Sequence, residues 1–185
     1  MNRASSGLYP PGSVFKIITF ATALLEGVPS ETSYYCRGKF DYGARTFKCW
    51  KKEGHGRLDL QGGFINSCNV YFYNLGLRLG AGKILNTARN FNLGQKTNAD
   101  VKSEKSGYIP SEKDFEKILR ERSLGGESIN LAIGQGTILV TPLQMAQMAA
   151  AIGARGKVMK PIIADSAFYA DEDFSAGSKS VKAGG

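Results

Sequence analysis

Tyr9-Pro10-Pro11-Gly12-Ser13-Val14-Phe15-Lys16 runs into Ile17-Ile18-Thr19-Phe20-Ala21-Thr22-Ala23-Leu24-Leu25, and the reading of the whole chain turns on this stretch. The apolar run predicts a helix that begins near Ser13 and ends at Gly27, with Pro29 preventing its continuation. After Lys16 it has no polar face, so it should be buried on nearly all sides. Residues three apart share a helix face, which lets the Ser13 hydroxyl point at the Lys16 amine. A serine hydroxyl is a weak nucleophile until a base takes its proton. A lysine acts as that base only if its pKa falls from about 10.4 towards 7. Val14, Phe15, Ile17 and Phe20 would desolvate the amine, and the positive helix end would disfavour the ammonium. Taken alone, Ser-x-x-Lys is equally a capped helix with a snorkelling lysine. A signal peptide with residues 17–25 as its apolar core is a further reading. Against it stand the Pro10-Pro11-Gly12 lead-in and the poor cleavage site Gly27-Val28-Pro29.

Working outward, 185 residues suffice for one domain with a real core. Twenty-four basic against 16 acidic residues leave a net charge of +8, which suits an anionic partner without choosing which one. No span approaches the roughly 20 apolar residues a bilayer needs. Residues 30–62 read as irregular, with Tyr34, Tyr35, Phe40, Tyr42, Phe47 and Trp50 among many cations. A loop that long needs order from a small core, a disulfide or a metal. Helices are predicted over 69–79 and over 82–93, the second stopped by Gly94. A polar turn region over 97–110 follows. Ser111 with Asp114 caps a charged helix to about Arg122, and Gly125 to Gly136 is punctuated by glycine. Thr141-Pro142-Leu143-Gln144 has a capping box with Pro at the first helical position, starting a helix to about Ile152. Val158 to Ala164 is a candidate strand, and from Asp165 the chain turns small and polar.

Two Ser-x-Asn triplets occur, Ser67-Cys68-Asn69 and Ser128-Ile129-Asn130, and either would serve simply as a helix cap. Cys68 lies inside the first. With Cys36, Cys49 and His55 it completes the chain's whole complement of cysteine and histidine. Cysteine thiolates and neutral imidazole are the ligands of closed tetrahedral zinc sites. The spacing, Cys-x12-Cys, Cys-x5-His, His-x12-Cys, matches no standard finger. Three readings stand: a four-ligand zinc site, a Cys36–Cys49 disulfide with Cys68 a free thiol, and unrelated reduced cysteines. Position favours zinc. Such a site would tether the irregular loop to the Ser67/Asn69 triplet.

The segment Tyr9–Lys16 closely resembles the active-site segment of class B penicillin-binding proteins, a group for which Ser-x-x-Lys is a signature. The resemblance continues through Trp50-Lys51-Lys52-x-Gly54-His55-Gly56, Ser67-Cys68-Asn69-Val70-Tyr71-Phe72-Tyr73, Glu104 to Ser111, and Ile133 to Gln144. It covers about residues 2 to 165, and the Trp-Lys-Lys-x-Gly-His-Gly stretch points to the elongation-type subgroup. The resemblance implies an α+β penicillin-binding-protein/β-lactamase-like transpeptidase fold, present here mostly as its helical lobe. It implies Ser13 as acylated nucleophile, Lys16 as general base, Ser67 as proton shuttle and Asn69 as the group that binds the substrate amide. Ser128 would then be structural. It also supports structural zinc on Cys36, Cys49, His55 and Cys68, since some members carry one in this region. The family's third motif, Lys-Thr/Ser-Gly, has only a faint counterpart in Lys182-Ala183-Gly184. Residues 1–165 are therefore expected to be a partial transpeptidase lobe and 166–185 a tail or appended segment.

The implied activity is peptidoglycan D,D-transpeptidation during cell-wall elongation, with D-Ala-D-Ala stem peptides as substrate and β-lactams as inhibitors. The implied setting is a periplasmic domain on an inner-membrane anchor, beside a membrane glycosyltransferase. A serine β-lactamase-like hydrolase and a zinc-stabilised, non-catalytic binding module or inert lobe are the alternatives. The basic residues form no helical stripe and no nucleic-acid signature appears, so nucleic acid is not expected as a partner.

Overall fold

The computed structural model describes residues 2–121, 126–163 and 179–180. It is a mixed α+β structure, mostly helical. Two compact units divide the chain, one of residues 10–87 and 110–138, the other of 1–9, 88–109 and 139–185. Among the described residues no helix is long and apolar enough to cross a membrane.

In the first unit Gly12 opens a single 3-10 turn, Gly12–Phe15, that leads directly into α2, Lys16–Leu25. The predicted helix from Ser13 is thus present, tightened at its head. Gly12 has a φ of +59°, and its amide donates to the Gly134 carbonyl at 2.8 Å. A Cβ on Gly134 would lie 2.2 Å from the Gly12 carbonyl oxygen, so glycine is required where the two backbones meet. Phe15 and Ile18 are fully buried, and Thr19 donates its hydroxyl to the Ala132 carbonyl at 2.9 Å.

The stretch expected to be irregular carries four short strands: β1 (Tyr34–Cys36), β2 (Lys39–Tyr42), β3 (Arg45–Lys48) and β4 (Gly56–Leu58). β1 pairs antiparallel with β4 and β2 with β3, as two separate two-stranded ribbons. Three or four residues per strand, most of them exposed, give too little alternation to show in sequence. Helix α3, Leu60–Ile65, follows; it was also unforeseen, because two of its six residues are glycine. Helix α4 spans Asn69–Leu79 as predicted and buries Val70, Tyr71, Phe72, Tyr73, Leu75 and Leu79. Gly76 lets α7, Gly126–Ala132, approach closely, since a Cβ there would lie 2.4 Å from the Ala132 Cβ. α5 covers Ala81–Asn90 and α6 covers Glu112–Glu121, where the Ser111 hydroxyl accepts from the Asp114 amide at 3.1 Å as predicted.

The second unit holds the short α1 (Arg3–Ser6) and α8, Pro142–Gly153. The predicted capping box is formed: Thr141 Oγ1 accepts from the Gln144 amide at 3.2 Å, and Gln144 Oε1 accepts from the Thr141 amide at 2.9 Å. The expected strand from Val158 reduces to β5, Lys157–Val158, paired antiparallel with β6, Lys179–Ser180. Apart from that pair, the expected tail, including Lys182-Ala183-Gly184, lies outside the described residues.

Candidate active site and metal centre

The end of α3 sets the geometry. The Ser67 amide donates to the Phe64 carbonyl and the Cys68 amide to the Gly63 carbonyl, each at 3.0 Å. These are the paired bonds of a Schellman turn, and they place Ser67 at the left-handed position that glycine normally fills. Ser67 has a φ of +45° there. A left-handed residue bearing a Cβ costs about 1–2 kcal/mol, and strain of this kind clusters at functional sites.

That side chain meets Lys16. The Lys16 Nζ donates to the Ser67 carbonyl at 2.7 Å, to Ser67 Oγ at 3.0 Å and to Asn69 Oδ1 at 2.6 Å. An ammonium has three protons, and all three are engaged. Lys16 is only 2% exposed, and its nitrogen lies 5.5 Å from the centroid of the Phe72 ring. Burial lowers its pKa from 10.5 to about 8, the largest effect, with the negative character of the Cys49 and Cys68 sulfurs acting the other way. That shift corresponds to about 3 kcal/mol. Burial of one large apolar side chain, about 1.5–3 kcal/mol, largely offsets it.

Lys16, Ser67 and Asn69 are therefore brought together as the sequence suggested. The direct Ser13–Lys16 hydrogen bond is not formed: among the described residues the exposed Ser13 hydroxyl has no hydrogen-bond partner. The amine is turned instead to the three acceptors of the 67–69 segment. Side chains at i and i+3 eclipse in a 3-10 turn, so Ser13 and Lys16 still share one edge.

Asn69 is held at both ends, its Nδ2 donating to the Lys48 carbonyl at 3.3 Å. The same carbonyl accepts from the Tyr73 hydroxyl at 3.1 Å. Nothing in the spacing singled out the Lys48 carbonyl, because a backbone acceptor leaves no mark in sequence. Ser128 lies within α7, away from these contacts and consistent with a structural residue.

Cys36, Cys49, His55 and Cys68 converge, with all four ligand atoms within 4.8 Å of one another. The His55 Nδ1 is 3.6 Å from both Cys36 Sγ and Cys49 Sγ, and Cys49 Sγ is 3.9 Å from Cys68 Sγ. The three cysteines are free thiols, so no Cys36–Cys49 disulfide is present. Tetrahedral zinc with metal–sulfur bonds of about 2.3 Å and metal–nitrogen bonds of about 2.0 Å separates its ligands by about 3.5–3.8 Å. Three of the spacings approach that range, the widest pair would have to draw in from up to 4.8 Å, and the cluster could hold a metal ion. Burial, then Lys51 and Lys16, depress the His55 pKa and favour the neutral imidazole a metal requires. Its Nε2 is buried without a hydrogen-bond partner. Burial opposes ionisation of Cys49, but the backbone amides of Lys51, Val70 and Asn69 bring its pKa below the usual thiol value. Burial pushes the Cys68 thiol up. Cys68 also caps α4, its sulfur accepting from the Tyr71 amide at 3.4 Å.

With a buried amine on a Ser/Asn pair and an exposed serine one turn away, comparison with known proteins is decisive. The family model described as the penicillin binding protein transpeptidase domain matches residues 1–183. The chain belongs to the penicillin-binding-protein transpeptidase family. Within it, the chain is similar to class B transpeptidases of the penicillin-binding protein 2 type.

Peptidoglycan D,D-transpeptidase MrdA of Acinetobacter baumannii is 33% identical over 171 residues, covering 86% of this chain and 24% of that protein. Stage V sporulation protein D of Bacillus subtilis is 35% identical over 158 residues, or 84% of this chain and 23% of the relative. Penicillin-binding protein 2 of Helicobacter pylori in complex with MreC superposes with a TM-score of 0.78 at 34% identity. It covers 88% of this chain and 31% of that one. Penicillin-binding protein 2 of Pseudomonas aeruginosa in complex with WCK 5153 gives 0.78 at 31% identity, over 88% and 38% of the two chains. The chain thus spans about a quarter of the length of these curated relatives.

Proposed function

We propose that this penicillin-binding-protein domain performs peptidoglycan D,D-transpeptidation through a serine acyl-enzyme, joining stem peptides during wall elongation. The observation that carries the reading is the three-way engagement of one buried amine by Ser67 and Asn69. A lysine with a pKa of about 8 gives up a proton near neutrality. Once neutral it keeps two protons for its acceptors and offers a lone pair to the Ser13 hydroxyl.

Ser13 Oγ then attacks the carbonyl of the penultimate D-Ala, forming the ester as the peptide C–N bond breaks. The proton taken by Lys16 passes through Ser67 Oγ to the departing D-Ala amine. In the second half the side-chain amine of a neighbouring stem attacks the ester. Its proton returns along the same route and Ser13 is released. Asn69 has a second Nδ2 proton beyond the one given to Lys48, which is suited to a substrate carbonyl. β-Lactams would acylate Ser13 in the same way.

Zinc on Cys36, Cys49, His55 and Cys68 would serve structure only, fixing the residues on either side of Cys68. The proposed setting is periplasmic, on a membrane anchor beside a glycosyltransferase. Two neighbours, titled as a complex with MreC and as a peptidoglycan synthase complex, support assembly of that kind.

The test is incubation with a labelled penicillin followed by peptide mapping in a mass spectrometer. A stable adduct on Ser13, lost in Ser13→Ala with metal content unchanged, is expected. Rapid turnover would indicate a hydrolase, and no adduct at Ser13 would refute acyl transfer.

A further inference from the structure

Trp50 is 63% exposed, yet two contacts hold its ring. Its Nε1 donates to the Asn66 carbonyl at 3.2 Å. Its ring stands edge-on to His55, with centroids 5.0 Å apart and planes at 68°. The two residues before it are tied down as well: Cys49 belongs to the Cys/His cluster, and the Lys48 carbonyl accepts from Asn69 and Tyr73. A single exposed aromatic is ordinary on a protein surface. One that is immobilised by the residue preceding Ser67 and by a metal-centre ligand is not explained by burial, because most of it is not buried.

We propose that Trp50 is a substrate-positioning residue, a fixed apolar platform beside Ser67 on which the aliphatic part of the acyl-donor stem peptide packs. The indole's one polar atom is already spent on Asn66, so the face it presents has only dispersion and C–H contact to offer. Alanyl methyls and side-chain methylenes match that face. The order of the ring is set before substrate arrives, which reduces the entropy lost on binding. Lys48, Lys51 and Lys52, against one Glu53, give the same segment a cationic fringe suited to a peptide ending in a carboxylate. Through the ring contact with His55, occupancy of the Cys/His cluster would keep the platform in register.

This inference rests on the acyl-transfer reading. Trp50 is the only tryptophan in the sequence, so its emission reports on it alone. In a Ser13→Ala chain loaded with zinc, titration with a D-Ala-D-Ala-terminated stem pentapeptide is expected to shift Trp50 emission saturably. In the parent chain, Trp50→Ala is expected to raise the half-saturation constant for an acyl donor built on that peptide by about 10-fold. The rate at saturation and the zinc content should stay within about 2-fold. Trp50→Phe, which keeps an aromatic face, should recover most of the loss. An unchanged half-saturation constant in Trp50→Ala, unchanged emission on titration, or joint loss of rate and zinc would overturn the platform. An adduct on Ser13 that persists through those failures leaves acyl transfer standing, whereas no adduct in the parent removes both.

Discussion

Ser67 occupies a backbone position that favours glycine, and two substitutions separate the strain from the chemistry. Ser67→Ala and Ser67→Gly both delete the hydroxyl and therefore lose the same 3.0 Å hydrogen bond from Lys16. They differ only in the Cβ at a φ of +45°. Relief of the left-handed strain is worth about 1–2 kcal/mol to the glycine variant. The greater freedom of glycine in the unfolded chain takes back about 0.4–1 kcal/mol. Ser67→Gly should thus be more stable than Ser67→Ala by about 0.5–1 kcal/mol. For a chain of this length that is a difference in Tm of about 2–3 °C. Urea melts of the two variants at matched zinc content provide the measurement, with equal m-values as a control. Both should also lose penicillin acylation to a similar extent. An alanine variant as stable as the glycine variant would refute the claim that Ser67 is held against its conformational preference for the sake of its side chain.

The rate of Ser13 acylation should rise about tenfold per pH unit from pH 6 and level off above about 8, the Lys16 value; stopped-flow labelling across pH 6–9.5 would show it, and a flat profile would exclude Lys16 as the base. Because the Lys16 pKa is depressed on folding, its contribution to stability is complete above 10.5 and is lost as pH falls to about 8. Denaturant midpoints should therefore rise over that interval in the parent relative to Lys16→Met. Zinc removal by a chelator should lower Tm and slow acylation together, and readdition should restore both; recovery of Tm alone would separate the centre from the site. Thr141→Ala removes one arm of the α8 capping box and should cost about 1 kcal/mol in a urea melt, with labelling of Ser13 unaffected.

The helices that carry the site were legible because their sequences repeat a strong signal: a long apolar run for α2, an eleven-residue apolar-aromatic run for α4, and a capping box for α8. The four ribbon strands and α3 were not. Each is too short for periodicity, and their order comes from the cluster of sulfurs and the Lys48 carbonyl rather than from propensity. α7 was hidden by flanking glycines, of which Gly134 is required by its close approach to Gly12. Among site residues, position favoured the four-ligand cluster over a disulfide, and the family resemblance, rather than the motif itself, chose Ser67 and Asn69 over Ser128 and Asn130. The orientation of the Lys16 amine was legible in neither. Its choice of Ser67 and Asn69 over Ser13 depends on a left-handed turn at Ser67, which a serine codon does not announce.

Cys68 lies between the two polar residues that share the lysine, with its sulfur directed to the cluster and its neighbours directed to the amine. If the cluster holds zinc as proposed, a larger thiophilic ion such as cadmium in its place would lengthen the bonds to sulfur. That displacement would be passed through the shared backbone to a hydroxyl and an amide poised within 3.0 Å of their partner. Under the proposed acyl-transfer role, such an ion would slow acylation by a route that leaves the nucleophile itself chemically intact.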